Sequence, residues 1–105
     1  MKKIILPRAV PVKFIFPSDP SRAEDWGRLT QLSSQGAFVA SLSSFQVGLR
    51  ILAFWETHGQ KFEIEGRVLT VQKEVSGYFT HSLFFTRSSD RKRLSSFLID
   101  CLARD

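Results

Sequence analysis

Few residues in this sequence have a type and spacing that could do chemistry, and most of them argue against a reaction. His58 and His81 have no cysteine or carboxylate at metal-ligand spacing. Glu63 and Glu65 fall on one face of a strand, but one pair of exposed acids is not a glycosidase site. Ser33 and Ser34 have no histidine nearby in sequence to act as a base. No residue set supports an enzyme. What remains is polar and cationic: Lys2, Lys3 and Arg8 near the start, the small polar stretch QLSSQG over 31–36, and Arg87, Arg91, Lys92 and Arg93 near the end. A net charge of +5 favours anionic partners, among them nucleotides, nucleic acid, anionic lipid and acidic protein patches.

These residues must be positioned by a small scaffold. A chain of 105 residues suits one domain with one core. A hydrophobic fraction of 43% against 24% charged fits a globular chain rather than a disordered one. The ten Phe and two Trp are first of all core material. The single cysteine, Cys101, allows no disulfide within the chain, which fits a reducing compartment. In MKKIILPRAV the apolar run is cut off by Pro7 and Arg8, well short of a signal-peptide core. No stretch reaches the ~20 apolar residues of a membrane span. The expected location is the cytoplasm.

Val10, Val12, Phe14 and Phe16 alternate with Pro11, Lys13 and Ile15, which predicts a strand with one buried face. After the polar loop PSDPSRAEDWG, a second strand is expected over 28–32, a turn at SSQG and a third strand over 36–42. LRILAFWE and FEIEGRVLTV read as two longer strands joined at THGQ, and YFTHSLFFT as a sixth. Leu49, Ile51, Ala53 and Trp55 lie on one face of their strand, with Leu52 and Phe54 on the other. Apolar residues on both faces predict that something covers part of the outer face. Leu94, Phe97, Leu98, Cys101 and Leu102 then fall at helical spacing, with Ser88, Ser89 or Asp90 as the cap. This closing helix is the expected cover. The fold class is therefore mainly β: a six-stranded antiparallel barrel with a helix over about 89–103. Cations at the start of that helix oppose its dipole, which an acidic partner would relieve, although a solvated basic patch is the plainer explanation.

The order of elements and motifs resembles the PilZ domain, the bacterial receptor module for cyclic di-GMP. Arg8 stands just before the first predicted strand, and Gln31-x-Ser33-x-x-Gly36 precedes the third. The resemblance covers the whole chain, 1–105, with 1–7 as a basic N-terminal segment, about 8–87 as the barrel and about 89–103 as the helix. The family pattern is Arg-x-x-x-Arg followed by Asp/Asn-x-Ser-x-x-Gly. Arg8 matches the second Arg, whereas the first falls on Ile4, with Lys2 and Lys3 the nearest cations. Gln31 stands at the Asp/Asn position, and its amide reaches about one C–C bond farther than that of Asn.

The resemblance implies a cyclic di-GMP site built from Arg8, Gln31, Ser33, Gly36 and Lys3, with no other cofactor and no metal. Guanidinium forks suit phosphate and the guanine acceptor edge. Gly36 would permit a positive φ or a close approach of backbone to ligand. Losing the first Arg should weaken binding by about ten- to a hundredfold. The implied function is a non-enzymatic regulator in cyclic di-GMP signalling that binds the nucleotide at a degenerate, weakened site and acts on a partner protein. One alternative is a nucleotide-independent adaptor acting by protein contact on pilus or motility machinery. Another is a basic barrel binding single-stranded nucleic acid, which would need Phe38, Phe45 and Phe79 exposed along a groove.

Overall fold

The computed structural model describes the backbone from residue 3 to 104 and the side chains from 9 to 101. Six strands are followed by one helix: β1 Lys3–Ile15, β2 Asp25–Ser33, β3 Gly36–Ser41, β4 Arg50–Thr57, β5 Gln60–Lys73, β6 Phe79–Phe85 and α1 Ser88–Arg104. The strands are antiparallel and close into a barrel in the order β1-β2-β3-β6-β5-β4. The fold class expected from the sequence is the one observed.

The inward rows are the ones that alternation predicts. Val12 and Phe14 of β1, Ile51, Ala53 and Trp55 of β4, Phe62 and Ile64 of β5, and Leu83 and Phe85 of β6 are all buried. The β4–β5 hairpin turns at His58 and Gly59, whose φ values of 51° and 73° follow the pattern of a type I′ turn. A non-glycine residue in this region is uncommon, and His58 is held by an edge contact with Phe97, with centroids 5.6 Å apart.

Three expectations are corrected. First, β1 begins at Lys3 rather than near residue 8. Lys3, Ile4 and Ile5 pair with Ser33, Leu32 and Gln31, and the ladder then breaks before Val10. Pro7 lies in that break, where a missing N–H costs no ladder bond. Arg8 therefore lies within the irregular part of β1, not ahead of it. Second, the helix does not cover the outer face. Leu94, Phe97, Leu98 and Cys101 join the same buried cluster as the barrel interior, and Phe97 meets Phe62 edge-on at 5.1 Å. Leu102, the last member of the predicted stripe, lies outside the described side chains. Third, the carbonyl of Arg87 accepts from the Arg91 N–H at 3.2 Å, which makes Arg87 the cap in place of Ser88, Ser89 or Asp90.

The two ends of the barrel are plugged by different elements. Phe45, on the loop between β3 and β4, packs edge-on against Phe14 and Phe16 and stacks on His81. Four residues along β6, about 13 Å away at strand rise, Phe85 faces Trp55 in the helix-capped half. Outside, Phe54 stays half-buried beneath Lys13, whose Nζ lies 5.0 Å from the ring centroid. Partial cover by a lysine stem accounts for Phe54 on that face.

Candidate functional site

The β2–β3 hairpin is built around Ser33. Its Oγ accepts from the backbone N–H groups of Gly36 at 3.1 Å and Gln35 at 3.3 Å, and donates to the Gly36 carbonyl at 3.1 Å. A hydroxyl has one proton and two lone pairs, so its bonding capacity is filled inside the turn. Ser33 is buried accordingly.

Gly36 answers a different demand from the one expected. It is not among the positive-φ glycines, which are Gly48, Gly59 and Gly77. A Cβ at Gly36 would instead stand 2.0 Å from the Leu83 carbonyl oxygen. The glycine lets β6 close against the hairpin, and the Phe85 N–H bonds the Gln35 carbonyl at 2.8 Å beside it. Ser33 and Gly36 thus both shape the turn.

Gln31 lies outside the turn. It pairs with Phe38 across the ladder, and its Oε1 is buried with no hydrogen-bond partner among the described residues. An unpaired buried amide oxygen costs about 1–3 kcal/mol, so a donor brought by a ligand would be rewarded. Gln31 lines a concavity of about 240 Å³ on the outer face, together with Ser33, Gly36, Phe38, Leu69 and Phe84. The three apolar residues form a shelf that is one-third to one-half exposed. A register shift between Val68 and Thr70 accompanies the exposure of Leu69. The signal for this shelf lay in YFTHSLFFT, whose outward apolar residue Phe84 had no assigned role.

One described cation approaches the concavity, and a strand runs beside it. Arg91 holds its guanidinium 5.3 Å from the Phe84 ring centroid and donates to the Phe85 carbonyl at 2.7 Å. On the other side the β1 backbone runs along the hairpin, with Lys3 opposite Ser33 and Ile4 opposite Leu32. The side chains of Lys3, Ile4 and Arg8 lie outside the described residues.

The basic run near the helix start is structural, not merely solvated. Arg87 bonds the Glu65 carboxylate at 3.2 Å, and Arg93 bonds the Lys61 carbonyl at 2.8 Å with its guanidinium over Phe62. With Arg91, three of these cations anchor the helix to the barrel. Glu65 is only 16% exposed, unlike the open acid expected. The Thr86 hydroxyl bond at 2.7 Å is the main reason its carboxyl sits below the ordinary value, helped by Arg87 and Arg50 and opposed by burial. The proposed row of exposed aromatics fails, since Phe45 is fully buried and Phe79 is partly buried beneath Lys73. Among the described residues no group of three His, Cys, Asp or Glu could hold a metal ion, and no helix is long and apolar enough to cross a membrane.

In sequence, no family model and no curated protein matches the chain. In structure, the Bacillus subtilis inhibitor of motility MotI/DgrA matches all of the chain and 52% of its own length, at 17% identity and a TM-score of 0.73. YcgR of Escherichia coli in complex with c-di-GMP matches 98% of the chain and 45% of itself, at 16% identity and a TM-score of 0.73. The isolated PilZ domain of YcgR, also with c-di-GMP, matches 98% of the chain and 92% of itself, at 14% identity and a TM-score of 0.72. The chain thus spans about half the length of MotI/DgrA and of the longer YcgR. The six-stranded closed barrel with its C-terminal helix, matched over nearly all of this chain, has the fold of the PilZ domain.

Proposed function

We propose that this domain is a non-enzymatic, cytoplasmic regulatory module that binds cyclic di-GMP weakly at the outer face beside residues 31–36 and acts on a partner protein. The observation that carries this reading is the Gln31 amide oxygen, unpaired among the described residues, at a concavity floored by Phe38 and Phe84. Guanine N–H groups are the donors that such an oxygen lacks, and an aromatic floor suits a base face. Two of the structurally similar proteins, YcgR and MrkH, have structures with c-di-GMP. In this reading Arg8 and Lys3 supply charge from the β1 side, and Ser33 and Gly36 contribute by fixing the hairpin.

One observation favours the nucleotide-independent adaptor instead. The concavity is lined mainly by apolar side chains, and the Ser33 hydroxyl has no bond left to give. Isothermal titration with cyclic di-GMP separates the two readings. The receptor reading expects saturable binding that Arg8→Ala and Gln31→Ala each weaken. Heat without saturation, or binding indifferent to both substitutions, would leave the adaptor.

A further inference from the structure

Arg50 and Arg67 stand directly opposite each other on β4 and β5, and both side chains face outward. Their Cβ atoms are therefore about 5 Å apart, and like charges so placed destabilise a sheet. The neighbouring carboxylate does not resolve this. Glu65 approaches Arg50 only to 4.0 Å, and its oxygens are already bonded by Thr86 and Arg87. Arg67 has no carboxylate partner among the described residues and makes one long bond, 3.4 Å, to the Gly48 carbonyl. The local balance is three guanidinium groups to one carboxylate.

The pair also shares a cavity. Arg50 and Arg67 line a depression of about 510 Å³ together with Ser18, Gln46 and Gly48. Ser18 and Gln46 offer further donors at the rim. From this geometry we infer that Arg50 and Arg67 form a binding site for a phosphate-type oxyanion. Two planar forks facing one another suit such a group, which accepts from each in two-pronged fashion and cancels their repulsion. The pair ends a cross-strand row that runs Gly36, Phe84, Arg67, Arg50. Three interstrand steps of about 4.8 Å put it roughly 14 Å from the hairpin. The inference does not depend on the nucleotide reading.

The test is a titration of the nitrogen-15-labelled protein with sodium pyrophosphate, with ionic strength held constant by chloride. The side-chain Nε–H signals of Arg50 and Arg67 should move together on one saturating curve, while that of Arg28 stays still. Arg67→Gln should abolish the saturable shift of Arg50, and Arg50→Gln that of Arg67. Without the anion at low salt, either variant should melt at or above the wild-type temperature, and pyrophosphate should raise only the wild type. Shifts that are linear and equal at all three arginines would mean an adventitious ion only, and the inference falls. A lower melting temperature in both variants would overturn the repulsion on which it rests. A second titration identifies the phosphate source. Cyclic di-GMP moving Arg50, Arg67 and Gln31 together makes the nucleotide's own phosphates the occupant. Cyclic di-GMP moving nothing, with pyrophosphate still saturating, keeps this site and ends the nucleotide proposal.

Discussion

Phe45 donates its backbone N–H to Nε2 of His81 at 3.0 Å, and its ring stacks on the same imidazole with centroids 4.4 Å apart. One residue of the β3–β4 loop is thus held by both its backbone and its side chain. The acceptor role of Nε2 requires a neutral imidazole carrying its proton on Nδ1.

Burial pushes the His81 imidazole below its ordinary value. Nδ1 makes no hydrogen bond among the described residues, so the nearby Val39 backbone offsets burial only in part. The unfolded chain therefore takes up this proton at a higher pH than the folded one. The stability tied to His81 is fully present above about pH 6.5, the ordinary value, and is lost as pH falls through the lowered folded value. Denaturant midpoints between pH 7.5 and 5 should decline in the wild type. His81→Phe keeps the stack, strands the Phe45 N–H and should cost about 1–3 kcal/mol at pH 7.5, with a flatter profile below. A wild-type midpoint constant across that range would contradict the assignment.

Glu65 should respond in a more acidic window. Its carboxyl is lowered chiefly by the Thr86 bond, so its contribution is present above the ordinary carboxylate value and is lost as pH falls through the folded one. Glu65→Gln should cost on the order of 1 kcal/mol at neutral pH, given partial exposure. That variant should also lose less on acidification than the wild type. Equal acid sensitivity in the two proteins would rule out this role.

The helix should prove indispensable to the barrel. Phe97 is 4% exposed and packs on Phe62 and His58. Phe97→Ala should destabilise by about 3–5 kcal/mol, measured by urea unfolding. A loss below ~1 kcal/mol would mean that the helix is not docked.

Gly36→Ala tests the hairpin contact. The added methyl meets the Leu83 carbonyl, so β3 and β6 must part. Overpacking of this kind costs about 1–3 kcal/mol, and a clash with backbone stands at the upper end. The amide signals of residues 83–85 should shift along with those of the hairpin. A silent substitution would refute the close approach.

The sequence made the six strands and the helix legible because the apolar period changes from two to 3.6 after Thr86. It could not show what the helical stripe covers. Leu94, Phe97 and Leu98 announce a buried face, but an end plug and an outer cover need the same stripe. Ser33 and Gly36 were visible as a motif, yet the role of Gly36 depends on the Leu83 carbonyl, 47 residues away in sequence and adjacent only once β3 and β6 pair. Arg91 and Arg93 looked like surplus charge because their partners are backbone carbonyls, which no residue type advertises.

Restoring the family pattern provides a direct measure of the candidate site. Ile4→Arg with Gln31→Asp should raise cyclic di-GMP affinity by at least about tenfold, since one charge-assisted bond is worth ~1.5 kcal/mol or more. It should outperform Ile4→Lys, which adds charge without the fork. Ile4 pairs with Leu32, next to Gln31, so the two changes are close enough to couple rather than add. No gain by titration, with the fold confirmed by circular dichroism, would retire the nucleotide site.

The closure between β1 and β4 rests on three described pairs, Lys13–Phe54, Phe14–Ala53 and Ile15–Leu52, against eight between β4 and β5. A closed barrel has no edge, but one that parts along this seam has two. Opening there leaves β1 attached to β2 alone and exposes the free side of β4. Two copies opened in the same way offer each other matching strands, so strand exchange needs no new sequence. Variants that loosen Phe14 or Ala53 should therefore fail by domain swapping before they fail by unfolding.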